Sequence, residues 1–336
     1  MKKLLALVLA LAMVLSVACA SAEGLVFQLA ETHAEGYPTS LADYEFARLV
    51  EERTEGRVKI EVYSGSVLAD SEATAIEMLQ AGTLGFTRVS ASPVASYVPA
   101  LNAVQMPYLY KNADHMWAVL DGEIGQGMLE EVQKSGSGLI GLCWYDSGSR
   151  SFYITDAAYQ KANFAEADLT GLKIRMQNNA MMVRMIELLG GTGVTGIGAN
   201  EVYSSIQTGV VNGAENNYPT YQDKGDFEVA TYFVLDHHTR VPEILIMSEI
   251  AAYMVSEEDL AIIKECAKAT QEFEKEQWKL KEVAAEEIVR ANGNTIVELT
   301  AEEMAKYEAK MAPLYEEFGA DYTDVIDAIK AVGENF

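Results

Sequence analysis

Apolar and polar positions change period in a regular order along this chain. Leu25-Val26-Phe27-Gln28-Leu29 is a short apolar run that predicts a strand. A polar loop with His33 and Tyr37 follows. Ser40-x-x-Asp43 then opens a predicted helix with an inner face of Leu41, Tyr44, Ala47 and Val50, stopped at Thr54-Glu55-Gly56. Val58, Ile60 and Val62 alternate with Lys59, Glu61 and Tyr63, the mark of a half-buried strand. The spacing predicts a second helix over 71–81, with Gly82 past its end, and a strand over 86–89 that runs into Ser90-Ala91-Ser92-Pro93. Strands alternating with helices in this order predict a mostly parallel α/β sheet.

The second half has the same style without visible repetition. A strand over 139–145 leads into Asp146-Ser147-Gly148-Ser149-Arg150, and Phe152-Tyr153-Ile154 continues extended. After a turn at Asp168-Leu169-Thr170-Gly171, Leu172, Ile174 and Met176 alternate with Lys173 and Arg175. Such a strand buries one face and carries Arg175 out at its end, into Gln177-Asn178-Asn179. A helix over 180–189 is closed by Gly190-Gly191. Asn200 caps another, ending at Gly209, and Val210-Val211 reads as a short strand that delivers 212–217 to a loop. From Ser256 to Asn292 one helix is predicted, about 55 Å long at ~1.5 Å per residue, enough to span two lobes. Thr300-Ala301-Glu302-Glu303 is a capping box for a helix over 301–318, and a last helix covers 322–332.

The N-terminus reads as an export signal. Lys2-Lys3 precedes an unbroken apolar run of twelve residues, 4–15, short of the roughly 20 that span a bilayer, and Ala20-Ser21-Ala22 is a cleavage site. Lipid attachment at Cys19 is the rival reading. The expected product is an exported, periplasmic or extracytoplasmic protein. Among 336 residues, 49% are apolar and 22% charged, which fits a globular chain of about two domains. The net charge is −25, and loss of the leader removes two lysines and no acid. A field of that sign repels phosphate backbones and anionic membranes, so no nucleic-acid partner is expected. Cys143 and Cys266 lie in different segments without C-x-x-C spacing and read as buried thiols.

Catalytic and cofactor chemistry finds little footing. Gly191-Thr192-Gly193-Val194-Thr195-Gly196 matches G-x-G-x-x-G, but a helix precedes it where a dinucleotide site needs a strand. It reads as a helix-to-strand connection. No Walker loop, G-x-S-x-G or H-E-x-x-H occurs. His237-His238 sit side by side, and adjacent strand residues face opposite ways, so no metal site is assigned. No catalytic residue and no cofactor are expected, and the chain is not read as an enzyme. What remains is a set of polar groups on loops at strand ends, where open α/β sheets bind ligands. Arg150 and Arg175 are two of few cations in an acidic chain, and a guanidinium grips a carboxylate with two parallel bonds. Asn216 can donate and accept.

Three ordered segments carry a resemblance: Gly148-Ser149-Arg150-Ser151-Phe152-Tyr153, then 167–175 ending Lys173-Ile174-Arg175, then 201–216 ending Gly213-Ala214-Glu215-Asn216. With Thr54-Glu55-Gly56-Arg57-Val58 and Leu79-Gln80-Ala81-Gly82, they resemble the solute-binding proteins of tripartite ATP-independent periplasmic (TRAP) transporters, of the C4-dicarboxylate-binding type. The resemblance implies a two-lobed periplasmic-binding-protein-like α/β fold, with a ligand cleft between lobes and a long helix spanning both. Lobe I would hold 23–147 and about 241–279, and lobe II 148–240 and about 280–336, after a signal peptide over 1–22. It implies capture of a small organic acid and delivery to the membrane permease subunits of a TRAP transporter. By the same resemblance Arg175 clamps the ligand carboxylate, Arg150 supports it and Asn216 bonds the same group, while His33, Ser90 and Asp70 line the first-lobe side. The family often has Asp at Asn212 and Gly at Ala69, and some relatives place a charged or amide side chain at Ser90. These departures leave dicarboxylate, monocarboxylate, keto acid and sugar acid all open. Two other classes stand beside this one: a binding protein of an ATP-driven importer or a ligand receptor for a sensor kinase, and an extracytoplasmic enzyme on the same scaffold.

Overall fold

The computed structural model describes residues 24–336. The expected leader, its cleavage after Ala22 and Cys19 lie outside the described residues. Eleven strands are described: β1 (Leu25–Ala30), β2 (Val58–Tyr63), β3 (Phe86–Ser90), β4 (Leu139–Tyr145), β5 (Arg150–Ile154), β6 (Lys173–Arg175), β7 (Thr192–Val194), β8 (Gly213–Asn216), β9 (Tyr232–Thr239), β10 (Glu243–Ser248) and β11 (Thr295–Glu298). They form two sheets, one in each lobe, ordered β2-β1-β3-β10-β4 and β11-β9-β5-β8-β6-β7.

Both sheets are mostly parallel, as the rhythm of elements predicts, and each carries one reversed strand, β10 in the first and β5 in the second. β1 runs parallel to β2 and β3, but β10 runs antiparallel to β3 and β4. In the second sheet β5 runs antiparallel to β8 and β9, while β6 is parallel to β7 and β8. The cause is the crossing of the chain between lobes. Residues 146–149 join β4 to β5, and 240–242 join β9 to β10. A strand that arrives from the other lobe enters its sheet from the crossing end and runs against its neighbour. The two connections lie side by side, and Ser147 Oγ donates to the Val241 carbonyl at 2.5 Å. Gly148 has φ +62°, and a Cβ there would stand 2.6 Å from Glu282 Oε1, so the first crossing needs glycine.

The third link is the helix Glu257–Ala291, 35 residues or about 52 Å long. Ser256 Oγ caps it by accepting from Asp259 N. Its first half buries Ile263, Cys266 and Ala267 with the apolar residues of the first sheet, and Gln271 Oε1 accepts from Trp144 N. Its second half buries Val289 against the second lobe, and Lys281 Nζ donates to Gln222 Oε1. Cys143 and Cys266 are both buried free thiols. No helix among the described residues is long and apolar enough to cross a membrane.

Local departures have local causes. The first helix is Pro38–Arg53 and begins before the expected Ser40, because Pro38 presets the backbone for a helical first turn. Its buried face is Ala42, Phe46 and Val50 rather than Leu41, Tyr44 and Ala47, and Ser40 and Asp43 are buried within it. The strand expected at Val210-Val211 lies three residues later, as β8, which puts Asn216 at a strand end rather than in a loop. The helix Ala301–Gly319 lies on the second lobe, with Tyr307 Oη donating to the Phe164 carbonyl. The last helix, Thr323–Val332, packs instead on first-lobe elements, and His115 Nε2 meets the Ile329 carbonyl at 2.9 Å. The expected placement of all of 280–336 in lobe II departs from the packing there.

Candidate functional site

Where the two sheets face each other, strand ends converge on a cavity of about 250 Å³. That lies below the roughly 300–1,000 Å³ of pockets for drug-sized ligands, so the space suits a small solute. Arg150, Arg175, Asn216, His33 and Ser90 all line it. Asp70 does not. It is exposed and accepts from Thr74 Oγ1 at 2.7 Å, and its carbonyl lies 3.3 Å from where a Cβ on Gly198 of the other lobe would stand. It belongs to the rim of the cleft.

Arg175 is the last residue of β6. Its neighbour Ile174 is in the core, so alternation turns the guanidinium to the other face. Nε and Nη2 both donate to the Ile197 carbonyl, at 3.0 and 2.9 Å. This fixes the plane of the fork and leaves Nη1 without a protein partner among the described residues. No Asp or Glu oxygen lies within 4.0 Å of it among the described residues, so its charge is not cancelled at contact. Asp226 is near enough to feel that charge, but it accepts from Tyr153 Oη at 2.8 Å, and burial pushes its pKa up to about 6. The residues that hold Arg175 come from the G-x-G-x-x-G segment and its extension. Gly196, Ile197 and Gly198 form a wall of the cavity, which the reading as a bare connection missed.

Arg150 is placed differently. Its Nε donates to Glu215 Oε2 at 2.5 Å, and Nη2 donates to Glu215 Oε1 and the Glu215 carbonyl at 2.9 and 3.0 Å. Glu215 also meets His238 Nε2 at 3.3 Å, and His238 Nδ1 meets Asp236 Oδ2 at 2.9 Å. Burial would raise the Glu215 carboxyl, but the Arg150 charge and the His238 contact outweigh it and hold it at about 2. Burial would lower His238, but Asp236 and Glu215 raise it to about 9. His238 is thus a charged strut, while exposed His237 turns away with φ +46°. Asn216 Oδ1 accepts from Asn217 N at 2.9 Å, leaving the Nδ2 group to donate.

The first-lobe wall is built on a residue the sequence reading passed over. Arg88, fully buried in β3, donates through Nε to Glu31 Oε2 at 2.8 Å and through Nη2 to Glu31 Oε1 and Thr32 Oγ1. Its Nη1 lies 2.8 Å from Glu72 Oε1 and 2.7 Å from Glu243 Oε2. Nη2 also meets His33 Nδ1 at 2.5 Å. His33 Nδ1 also lies 3.0 Å from Glu31 Oε1, so the ring is held between the guanidinium and its carboxylate partner. Burial, with Arg88 beside it, pushes the His33 pKa down to about 4. Burial, reinforced by Glu72 and Glu31 and opposed by Arg88, pushes Glu243 up to about 8. The signal for Arg88 was a lone charge inside the apolar run Phe86-Thr87-Arg88-Val89.

The lobes touch across the cleft. Tyr37 Oη and Thr220 Oγ1 are 2.9 Å apart, Gln177 Nε2 donates to Ser90 Oγ at 2.9 Å, and Lys224 Nζ donates to the Thr32 carbonyl at 3.2 Å. Asn212, one of the departures from the resembled pattern, accepts from Lys173 N at 2.8 Å and so ties down β6 outside the cavity.

The sequence model of the bacterial extracellular solute-binding proteins, family 7, matches residues 29–321. The chain belongs to this family. A relative named as a solute-binding protein, of Chromohalobacter salexigens, is 36% identical over 303 residues, 88% of this chain and 87% of the relative. Among solved structures, a TRAP periplasmic solute binding protein of Pseudomonas putida F1 with bound D-glucuronate superposes with a TM-score of 0.86 at 34% identity, covering 91% of this chain and 97% of that one. One of Sulfitobacter sp. NAS-14.1 with bound β-D-galacturonate gives 0.83 at 33%, covering 92% and 99%. The two-lobed family 7 fold expected from the sequence is the one observed. The ligands of these two relatives are sugar acids with one carboxylate, a class outside the C4-dicarboxylates.

Proposed function

We propose that this family 7 protein captures a hexuronate-type sugar acid by its carboxylate, in the cleft between the lobes, and hands it unchanged to the membrane subunits of a TRAP transporter. The observation that carries the reading is the Arg175 guanidinium: it lines the cavity, is oriented by the Ile197 carbonyl, and has no carboxylate at contact among the described residues. Relatives with bound D-glucuronate and β-D-galacturonate support the choice of acid. The ligand carboxylate takes the open side of the Arg175 fork. Asn216 Nδ2 donates to it, and Arg150, locked on Glu215, adds charge from behind. Charge-assisted bonds of this kind are roughly twice as strong as neutral ones, and more so once closure excludes water. Contacts made only when both lobes reach the ligand favour the closed state by differential affinity. The membrane subunits would then read the closed form, and the periplasm is where the protein would work.

Titration calorimetry with D-glucuronate and D-galacturonate tests this. Saturable binding is expected, with stabilisation by about 2.7 kcal/mol at 100 times the dissociation constant. Arg175→Ala should remove most affinity and still fold. Arg175→Lys should also bind poorly, because an ammonium is a point charge and not a fork. Unchanged affinity in Arg175→Ala overturns the clamp, and recovery of a chemically altered acid overturns the transport reading.

A further inference from the structure

The two ends of the cavity differ in charge. At the second-lobe end, Arg150 is cancelled by Glu215, and Arg175 is the guanidinium without a carboxylate at contact. At the first-lobe end, one guanidinium, Arg88, faces the carboxyl groups of Glu31, Glu72 and Glu243. Glu243 titrates near 8, so around neutral pH it is largely protonated, and the Glu31–Arg88–Glu72 set still carries a net negative charge. Lys224 stands behind this end rather than in its lining, with its ammonium donating to the Thr32 carbonyl and Asn200 Oδ1.

Apart from His33 Nε2, which takes no protein hydrogen bond among the described residues, the open hydrogen-bonding positions at this end are carboxylate and amide oxygens. Glu72 Oε1 receives Arg88 Nη1, Ser90 N and Ser90 Oγ at 2.8, 3.1 and 3.2 Å. Its other oxygen, Oε2, takes no protein hydrogen bond among the described residues, and the residue lines the cavity. Gln177 Oε1 is buried and takes none either. Glu243 is 5% exposed, and its Oε2 faces Arg88 Nη1 at 2.7 Å but out of line for a hydrogen bond. Acceptors without donors call for a ligand that brings donors, and hydroxyl groups are the donors a sugar acid has.

We infer that Glu72, held on Arg88 and backed by Glu243, is the specificity filter of this cleft: its free oxygen accepts from a ligand hydroxyl, and its charge refuses a second carboxylate. The site therefore takes polyhydroxylated monoacids and rejects diacids. The inference rests on the sugar-acid reading above and adds the residue that enforces it.

The test compares D-glucuronate with D-glucarate, an open-chain acid with a second carboxylate at the far end; D-gluconate, open-chain with one carboxylate, controls for loss of the ring, and succinate is included as a small diacid. Wild-type protein should bind D-glucarate at least about 100-fold more weakly than D-glucuronate, because a like charge at close range costs several kcal/mol. Glu72→Gln keeps an acceptor and removes the charge. It should lower D-glucuronate affinity by less than about tenfold and shrink the D-glucarate penalty by at least about tenfold. Melting curves check that the variant folds. If it does not, the wild-type ratio decides alone. A wild-type ratio within tenfold, or a ratio unchanged by Glu72→Gln while uronates still bind, overturns the filter and leaves the sugar-acid reading standing. Tight binding of succinate without binding of either uronate overturns both.

Discussion

Single buried charges set the geometry of this cleft, and each is held by a partner from a distant part of the chain. Arg150 is the clearest case. Glu215 on β8 fixes its fork, and His238 on β9 fixes Glu215, with the His238 ring stacked on Phe152 at 4.6 Å. The chain of contacts makes His238 a stabilising cation rather than a metal ligand. Its pKa is raised from 6.5 to about 9 on folding. A group raised in this way contributes fully below its unfolded value, and the contribution fades as pH rises through the folded one. The stability difference between wild type and His238→Gln should therefore be greatest below about pH 6.5, at an order of 3 kcal/mol, and shrink as pH rises through about 9. Urea unfolding of both proteins across this range measures it. A difference that stays flat with pH would mean that only packing against Phe152 is lost.

Elements were legible where their signals are local. The long helix was readable at both ends, because Ser256 caps one and Asn292 closes the other. Ser256→Ala should lower stability by about 1 kcal/mol, since it removes the acceptor for Asp259 N and frees the carboxylate that Arg57 grips at 2.8 Å. Uronate affinity should not move, because the cap is remote from the cleft; thermal unfolding and calorimetry on one preparation check both statements. β6 was legible for the same reason: its alternation alone turns Arg175 away from Ile174. The one reversed strand in each sheet was not. Whether β10 runs with or against β3 depends on which lobe the chain is leaving, and no local period encodes that. The first-lobe wall was hidden too. Arg88 makes sense only once Glu31, Glu72 and Glu243 arrive from β1's end, a helix start and β10, so the sequence displays the charge without its reason. Arg150, Arg175 and Asn216 stand in the ordered motifs that carry the resemblance, His33 and Ser90 in loops it assigns to the first-lobe side, and all five line the cavity. The resemblance also put Asp70 in that lining, where the structure has it exposed on the rim. The wall at Gly196-Ile197-Gly198 was obscured by its likeness to a nucleotide loop.

At the scale of the molecule, a chain of net charge −25 has to draw in an anion. Surface charges act weakly beyond about 8–10 Å at physiological salt, so the far field does not decide capture. In the proposed reading one uncancelled guanidinium inside a closing cleft does, provided closure itself is favourable. Tyr37 is where that can be measured. Its ring stacks on His33 at 3.9 Å and meets the edge of Trp278 on the long helix at 6.0 Å, while its hydroxyl reaches Thr220 of the second lobe at 2.9 Å. Tyr37→Phe keeps the ring contacts and deletes the bond that exists only when the lobes meet. A net hydrogen bond contributes about 0.5–1.5 kcal/mol, so uronate affinity should fall by roughly 2- to 10-fold. The melting temperature of the ligand-free protein should be unchanged, because the open form does not contain the bond. Calorimetry and scattering with and without ligand separate the cases. Unchanged affinity together with a lower ligand-free melting temperature would mean that the Tyr37–Thr220 contact holds the two lobes permanently, and that the cleft does not work by closing.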